Sequence, residues 1–171
     1  MTVSKHDLSE PSEWVVRWAP LIAQGTVLDL ACGSGRHSKF FLARGLKVAA
    51  MDRDAQDIPG ARFVQADLED GSPWPLPGEQ FEGVVVTNYL YRKIFPEIRK
   101  ALKPQGVLIY ETFMLGNERF GKPSNPEFLL RPRELLEVFK DLTVKGFEEG
   151  EVTEPKPAMI QRVCAVRTGK R

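Results

Sequence analysis

The chain has 171 residues, of which 42% are hydrophobic and 27% charged, and a formal net charge of +1. This composition is typical of an ordinary globular protein, and we expect a single domain over residues 1–171. The near-neutral charge gives no reason to expect a nucleic acid or an anionic membrane as partner. Cys32 and Cys164 lie far apart and are expected to be free thiols, and the N-terminal residues lack the apolar stretch of a signal peptide. We therefore expect a cytoplasmic protein.

Residues 1–24 are predicted to form a helical lead to the domain. The apolar residues recur at helical spacing, and Ser9 or Ser12 is predicted to cap the helix. Pro20 falls inside this pattern, so the helix is expected to break there.

The stretch at residues 26–37, TVLDLACGSGRH, predicts a strand, a sharp turn and a helix. Gly33 and Gly35 can adopt backbone angles that other residues avoid, and the helix is expected to run to about Ala43. Exposed N–H groups at the start of such a helix favour an anion such as a phosphate or carboxylate. The alternative is an ordinary strand–helix turn whose glycines serve only tightness.

The next predicted strand, residues 46–51, ends on Asp52 and Arg53. Nucleotide-binding α/β folds place at this point the carboxylate that accepts the ribose hydroxyl protons. A helix-cap or loop aspartate is the alternative. The connection at residues 55–60 is too short for a full helix.

The remaining elements continue the alternation of strands and helices. A third strand ends on Asp67, and a fourth, with a continuous apolar centre that favours parallel pairing, ends on Asn88. Residues 113–131 are predicted to be a long insertion, an uninterrupted loop that is functional or a lid. The other predicted strands are 62–66, 81–87, 107–112, 142–149 and 159–167, and the other helices are 93–102 and 133–139.

Four markers in this order resemble the class I S-adenosylmethionine-dependent methyltransferases. They are the turn at residues 29–35, Asp52, the Asp67–Leu68 pair, and the sequence LKPQGVL at residues 102–108. The resemblance implies a Rossmann-like α/β fold, a seven-stranded mostly parallel sheet with helices on both faces and an antiparallel last strand. Ala31 replaces the first glycine often found in the motif.

Motifs in the second half of the chain resemble small bacterial methyltransferases grouped with tellurite-resistance proteins. They are YETF at residues 110–113, NERFG at 117–121 and NPEFLL at 125–130. This resemblance implies no particular substrate.

The resemblance implies S-adenosyl-L-methionine as cofactor and S-adenosyl-L-homocysteine as product. By it, Asp29 would bind the cofactor's ammonium group, Asp52 the ribose diol and Asp67 the adenine amino group. The whole implied cofactor site consists of Asp29, Ala31, Gly33, Gly35, Arg36, His37, Asp52, Arg53, Asp67, Leu68 and Asn88. A half-exposed helix histidine is the alternative for His37.

Methyl transfer from a sulfonium needs alignment and a dry pocket rather than a metal or a strong base. We therefore predict a small-molecule acceptor and no metal site. Tyr91, Arg92 and Arg119 are the predicted acceptor contacts, the arginines because they could hold an oxyanion or carboxylate. Solvated loop arginines are the alternative, and the chain is expected to be a monomer or a homodimer.

Two other functions remain open at this point. An NAD-linked oxidoreductase could use Gly33, Gly35 and Asp52, although the third glycine of a dinucleotide fingerprint is missing and Asp67 argues against it. The second is a methyltransferase-like binding module that acts through a partner. Turnover of the cofactor would separate this module from the enzyme.

Overall fold

The computed structural model describes residues 10–168 and places their strands in one seven-stranded sheet of order β3-β2-β1-β4-β5-β7-β6. β7 runs antiparallel to both of its neighbours, while the pairs among β1 to β5 are parallel. The predicted fold class is thereby confirmed. The strands are β1 Thr26–Leu30, β2 Lys47–Asp52, β3 Arg62–Gln65, β4 Phe81–Thr87, β5 Leu102–Phe113, β6 Thr143–Val152 and β7 Ala158–Val166.

Short helices connect the strands. The Ser12 hydroxyl caps the first one by accepting from the N–H of Trp14 at 3.1 Å, and a 3₁₀ turn over Ala19–Leu21 follows it at Pro20, as expected. The predicted alternative cap, Ser9, lies outside the described residues. The helices are α1 Glu13–Trp18, α2 Arg36–Ala43, α3 Phe95–Lys100 and α4 Glu134–Val138. Between residues 10 and 168, no helix is long and apolar enough to cross a membrane.

Both faces of the sheet are covered by apolar contacts. Successive residues of β4 alternate between the two layers, since Val84 and Val86 belong to one core and Val85 to the other. Ile98 of α3 packs in the first core, and Phe41 of α2 packs in the second. The continuous apolar run of β4 is therefore explained by burial of both of its faces, as the sequence suggests.

The fifth strand is longer than predicted and its preceding helix shorter. β5 begins at Leu102 because that residue pairs with Phe81, before a register shift that precedes Gly83. The predicted helix over residues 93–102 is a 3₁₀ turn, Arg92–Ile94, followed by the six residues of α3.

The insertion after β5 is packed and partly helical, so the prediction of an uninterrupted loop is wrong. Its ends are joined by a bridge between Met114 and Leu130, and it contains two 3₁₀ turns. The Asn117 side chain is buried, donates to the Pro123 carbonyl at 2.9 Å and accepts from the N–H of Met159 at 3.0 Å. A role as a lid stays a prediction.

Candidate active site

A cavity of about 340 Å³ lies at the carboxyl ends of β1, β2, β3 and β4. Ligands of open α/β sheets bind at this edge. Of the eleven residues predicted for the cofactor, seven line the cavity, namely Ala31, Gly33, Asp52, Arg53, Asp67, Leu68 and Asn88. The rest of the lining is Met51, Asp54, Ala66, Glu69 and Tyr89.

The turn after β1 forms one wall and is shaped by left-handed backbone angles. Gly33 has φ +55°, and a Cβ added there would meet no atom within 4 Å, so the glycine leaves the backbone open to a ligand. A Cβ on Gly35 would lie 2.7 Å from Cδ1 of Ile58, so this second glycine serves close packing. Ala31 has φ +57°, which explains why related motifs use a glycine at this position.

The Asp52 carboxylate is fixed by backbone groups on both of its oxygens. Oδ1 accepts from the N–H of Gly33 at 3.2 Å, and Oδ2 accepts from the N–H of Asp54 at 3.0 Å. A carboxylate offers about four lone-pair positions, so two are left for a ligand. Two neighbouring hydroxyl groups would match them.

The walls after β3 and β4 are built from Asp67 and Asn88. Asp67 Oδ1 accepts from the N–H of Glu69 at 2.9 Å, which leaves the second carboxylate oxygen for a ligand. Asn88 has φ +54°, and its N–H donates to the Glu111 carbonyl at 2.9 Å. Asparagine tolerates this left-handed conformation better than most residues, and here it turns the chain at the mouth of the cavity.

The cavity is strongly acidic. Four of its lining residues are carboxylates, Asp52, Asp54, Asp67 and Glu69, against the single cation Arg53. Arg53 is 3.9 Å from Asp54 and both are largely exposed, so this pair neutralises little of the field. The site therefore attracts a cationic ligand and repels a phosphate.

Two lining residues that the sequence did not assign to the cofactor are joined by a hydrogen bond. The Tyr89 hydroxyl donates to Oε2 of Glu69 at 2.8 Å. The sequence left Glu69 without an assignment. The acidic run 67–70 and the position of Tyr89 directly after Asn88 were the available signals.

The other four predicted cofactor residues do not line the cavity, and Asp29 lies buried behind the turn. Its Oδ2 accepts from the Ser38 hydroxyl at 2.6 Å, which ties β1 to the first turns of α2. Burial raises the pKa of this carboxyl to about 6, although the Ser38 hydrogen bond opposes the shift. Gly35 is the residue that precedes α2.

His37 is buried with both ring nitrogens in contact with polar groups. Nε2 accepts from the N–H of Ser12 at 3.0 Å, and Nδ1 lies 3.4 Å from the Thr87 hydroxyl. Burial, with a contribution from the Arg36 cation, lowers its pKa to about 3, so the ring is neutral. The Arg36 side chain donates to the Glu10 carbonyl at 2.9 Å. His37 is thus not the half-exposed residue of the alternative interpretation.

The three predicted acceptor contacts lie outside the cavity lining. Arg92 donates to both Glu134 oxygens and to the carbonyls of Glu127 and Leu129. Most of its donors therefore tie the insertion to α4. Tyr91 packs against the larger core, and Arg119 is exposed, with its Nε donating to the Gly116 carbonyl at 3.1 Å.

Cys32 lies in the turn but is not an activated nucleophile. It is buried, and burial followed by the nearby carboxylates of Asp29 and Asp52 raises the pKa of its thiol to about 12. The group is a thiol at neutral pH, in agreement with the free thiol expected from the sequence.

Comparisons with known proteins agree with this geometry. Residues 27–106, which contain the turn and β2 to β4, match a family described as a methyltransferase domain. The trans-aconitate 2-methyltransferase of Paracidovorax citrulli is 30% identical over 115 residues, which cover 58% of this chain and 43% of that protein. The chain thus spans less than half the length of this curated relative.

Two solved structures share the fold. TehB from Haemophilus influenzae superposes with a TM-score of 0.73 at 19% identity, covering 92% of this chain and 63% of that one. The 1,6-didemethyltoxoflavin-N1-methyltransferase of Burkholderia thailandensis, solved with bound 1,6-didemethyltoxoflavin and S-adenosylhomocysteine, gives a TM-score of 0.69 at 20% identity and covers 95% and 80%.

Residues 27–106, just under half of the chain, thus resemble a methyltransferase domain, and the fold is the one expected from the sequence, that of the class I S-adenosylmethionine-dependent methyltransferases. The Burkholderia structure contains bound S-adenosylhomocysteine, and the acidic cavity of this chain, with its open glycine, fits the S-adenosylmethionine that the sequence resemblance implies. The similarity to TehB shows a shared fold, and the tellurite-resistance-like type stays a prediction.

Proposed function

We propose that the chain catalyses transfer of a methyl group from S-adenosylmethionine to a small-molecule acceptor. The observation that carries the proposal is the Asp52 carboxylate, which two backbone N–H groups hold in the wall of the acidic cavity. The names of two relatives, one with trans-aconitate and one with 1,6-didemethyltoxoflavin, support a small acceptor.

In this proposal the lining residues bind and orient the cofactor. Asp52 accepts from the two ribose hydroxyls, Asp67 accepts from the adenine amino group, and the Leu68 N–H donates to the adenine ring. Gly33 lets the backbone approach the methionine portion. Ala31, Arg53 and Asn88 complete the wall, while Gly35, Arg36 and His37 support the turn. Asp29 acts from behind the turn, through Ser38 at the start of α2.

The chemistry needs positioning more than proton transfer. The bound cofactor supplies a sulfonium methyl group whose in-line displacement has a neutral leaving group. The chain's contribution is to hold the reacting groups in line and to exclude water from them. Tyr91, Arg92 and Arg119 remain the proposed acceptor contacts, and Arg119 has the most exposed guanidinium of the two arginines.

Cavity charge favours this proposal over an NAD-linked oxidoreductase. A dinucleotide carries a pyrophosphate, which the four carboxylates of the cavity would repel. S-adenosylmethionine carries no phosphate and has a positively charged sulfur. The same residues, Gly33 and Asp52, therefore serve the methyl donor better.

Calorimetric titration of S-adenosylmethionine, S-adenosylhomocysteine and NAD tests the proposal. We expect both sulfur compounds to bind and NAD not to bind. Asp52→Ala should lower the affinity for S-adenosylmethionine about 10- to 100-fold, because hydrogen bonds to a charged group contribute about 1.5–3 kcal/mol. Asp57→Ala, a matched exposed aspartate outside the lining, should change the affinity less than about twofold.

Each of the other outcomes contradicts a different part of the proposal. Binding of NAD alone would reinstate the oxidoreductase, and binding of none of the three would overturn the cofactor assignment. Binding without formation of S-adenosylhomocysteine across a screen of small oxyanions, thiols and carboxylates would favour the binding module.

A further inference from the structure

Four strand ends surround the cavity, and the outer two, those of β3 and β4, lie furthest apart in the sheet. Sheet order places β2 and β1 between β3 and β4, so the loops after β3 and β4 are three strand spacings apart. At about 4.8 Å for each spacing, no ladder hydrogen bond can connect them. A contact between these two loops therefore closes a ring around the cavity.

The hydrogen bond from Tyr89 to Glu69 is such a contact. Tyr89 follows β4 and Glu69 follows β3, both side chains line the cavity, and the oxygens are 2.8 Å apart. Glu69 is on the exposed surface of its loop, whereas Tyr89 is half-buried. The contact is thus formed at the mouth of the cavity rather than in the core.

The tyrosine side of the contact is firmly anchored. The hydroxyl of Tyr110, a fully buried residue of β5, donates to the Tyr89 carbonyl at 2.8 Å. The Tyr110 ring lies among the rings of Phe95 and Phe139, with centroids 6.2 and 6.3 Å away. On the glutamate side the Glu69 N–H donates to Asp67, and the preceding Leu68 is only partly buried against the larger core.

The phenol remains a donor throughout the neutral range. Burial raises the pKa of Tyr89, and the hydrogen bond to Glu69 raises it further because a phenolate would face a carboxylate. One fixed donor therefore meets one acceptor on a less firmly held loop. Opening the contact requires movement of residues 66–70 rather than of the β4 end.

We propose that Tyr89 and Glu69 form a clasp that closes the ring of strand ends over bound S-adenosylmethionine and slows its dissociation. The clasp deepens the proposed function and rests on it. Tyr89 and Glu69 are positioning residues, because they act by holding the wall that contains Asp67 and Leu68 against the cofactor. The clasp adds no step to the chemistry of transfer.

A double-mutant cycle on S-adenosylmethionine binding tests the clasp. Tyr89→Phe and Glu69→Ala should each raise the dissociation rate constant about tenfold, the range for loss of a hydrogen bond to a charged group. Association rate constants should stay within about twofold. The double variant should dissociate no faster than Glu69→Ala, since that variant has already lost the bond.

Two further variants separate the hydrogen bond from charge. Glu69→Gln keeps an oxygen that accepts from the phenol and should raise the dissociation rate only about threefold. Asp70→Asn removes the same charge from the same loop at a residue outside the lining, and it should change the rate less than twofold. Dissociation is followed by stopped-flow displacement, and urea unfolding checks that all variants fold.

The outcomes distinguish the clasp from the proposed function. Multiplicative effects in the double variant, or an effect of Glu69→Gln as large as that of Glu69→Ala, would overturn the clasp while S-adenosylmethionine binding by the unmodified chain upholds the cofactor. Failure of the unmodified chain to bind S-adenosylmethionine would overturn both.

Discussion

At the scale of single residues, the pKa values of two buried groups behind the glycine turn, His37 and Asp29, are shifted in opposite directions. His37 has its pKa lowered to about 3 and Asp29 has its pKa raised to about 6, in both cases because burial disfavours the charged form. Between pH 3 and 6.5 the unfolded state takes up the proton of His37, so His37 makes stability fall on acidification. Asp29 does the reverse between about pH 4 and 6, because its folded state takes up the proton first.

These two contributions largely cancel, and substitution should reveal each. Asp29→Asn keeps an oxygen that can accept from Ser38 but removes the opposing titration. Its free energy of unfolding should therefore fall more steeply than that of the unmodified chain from pH 6 to 4. The difference should approach about 1.4 kcal/mol per pH unit, the value for one proton.

Urea unfolding between pH 4 and 7.5 measures this difference. His37→Gln is the complementary variant, and its stability should depend on pH less steeply than that of Asp29→Asn. Parallel pH profiles for all three proteins would show that neither group is coupled to folding as described.

Residues at strand ends were the predictable part of the candidate site. Asp52, Asp67 and Asn88 each follow a recognisable strand, and parallel strands bring their carboxyl ends to one edge, so sequence order alone places them together. The burial of His37 and the Tyr89–Glu69 contact depend on which side chains meet across the fold. The acidic run at 67–70 and the position of Tyr89 mark residues near the site, but no local pattern indicates the burial of His37 or that Tyr89 and Glu69 meet.

At the scale of elements, α4 and the insertion are joined through Glu134. This carboxylate is 4% exposed, and it accepts from Arg92 Nε at 2.7 Å and from the Arg131 N–H at 2.9 Å. Burial alone would raise its pKa, but the bonds from Arg92 and Arg131 outweigh burial and lower it. The sequence predicted the helix but gave no indication of the ion pair, because its partners lie 42 residues apart.

Removing the Glu134 carboxylate should destabilise the protein. Glu134→Ala leaves the partly buried Arg92 without its counterion, and we expect a loss of about 2–4 kcal/mol in the free energy of unfolding. Glu137→Ala is the matched control, because that glutamate lies on the same helix with an exposed lysine as its ion-pair partner. It should change stability by less than about 0.5 kcal/mol.

Urea denaturation of the two variants and the unmodified chain provides the measurement. Equal losses would mean that the pair contributes no more than a surface contact. A large loss for Glu134→Ala also bears on acceptor binding, since Arg92 would then be a structural tie of the insertion.

At the scale of the whole molecule, the sequence predicted the sheet more accurately than the segments that connect its strands. The alternation of apolar strands with glycine and proline turns indicated the number of strands, and the family resemblance implied a mostly parallel sheet with an antiparallel last strand, whereas the strand order comes from the structure. The length of β5 and the packing of the insertion depend instead on pairings such as Leu102 with Phe81 and Met114 with Leu130. These pairings join residues far apart in sequence, so no local pattern announces them.

The distribution of charge over the molecule predicts how salt affects binding of the cofactor and of its product. The chain is nearly neutral, yet the cavity holds four carboxylates and one arginine, so its field is local and short-ranged. S-adenosylmethionine carries a sulfonium charge that S-adenosylhomocysteine lacks. The screening length between charges is about 10 Å at 0.1 M salt and about 3 Å at 1 M. Added salt should therefore lower the affinity for the sulfonium S-adenosylmethionine more than the affinity for the thioether S-adenosylhomocysteine. The ratio of the two affinities should therefore shift towards S-adenosylhomocysteine as sodium chloride rises from 0.05 to about 0.5 M in calorimetric titrations. Asp54→Asn, which removes one carboxylate at the rim, should reduce that shift, whereas Asp57→Asn outside the lining should leave it unchanged. Affinities that fall in parallel would mean that the carboxylates act through hydrogen bonds alone, and that the local field contributes nothing to the choice between substrate and product.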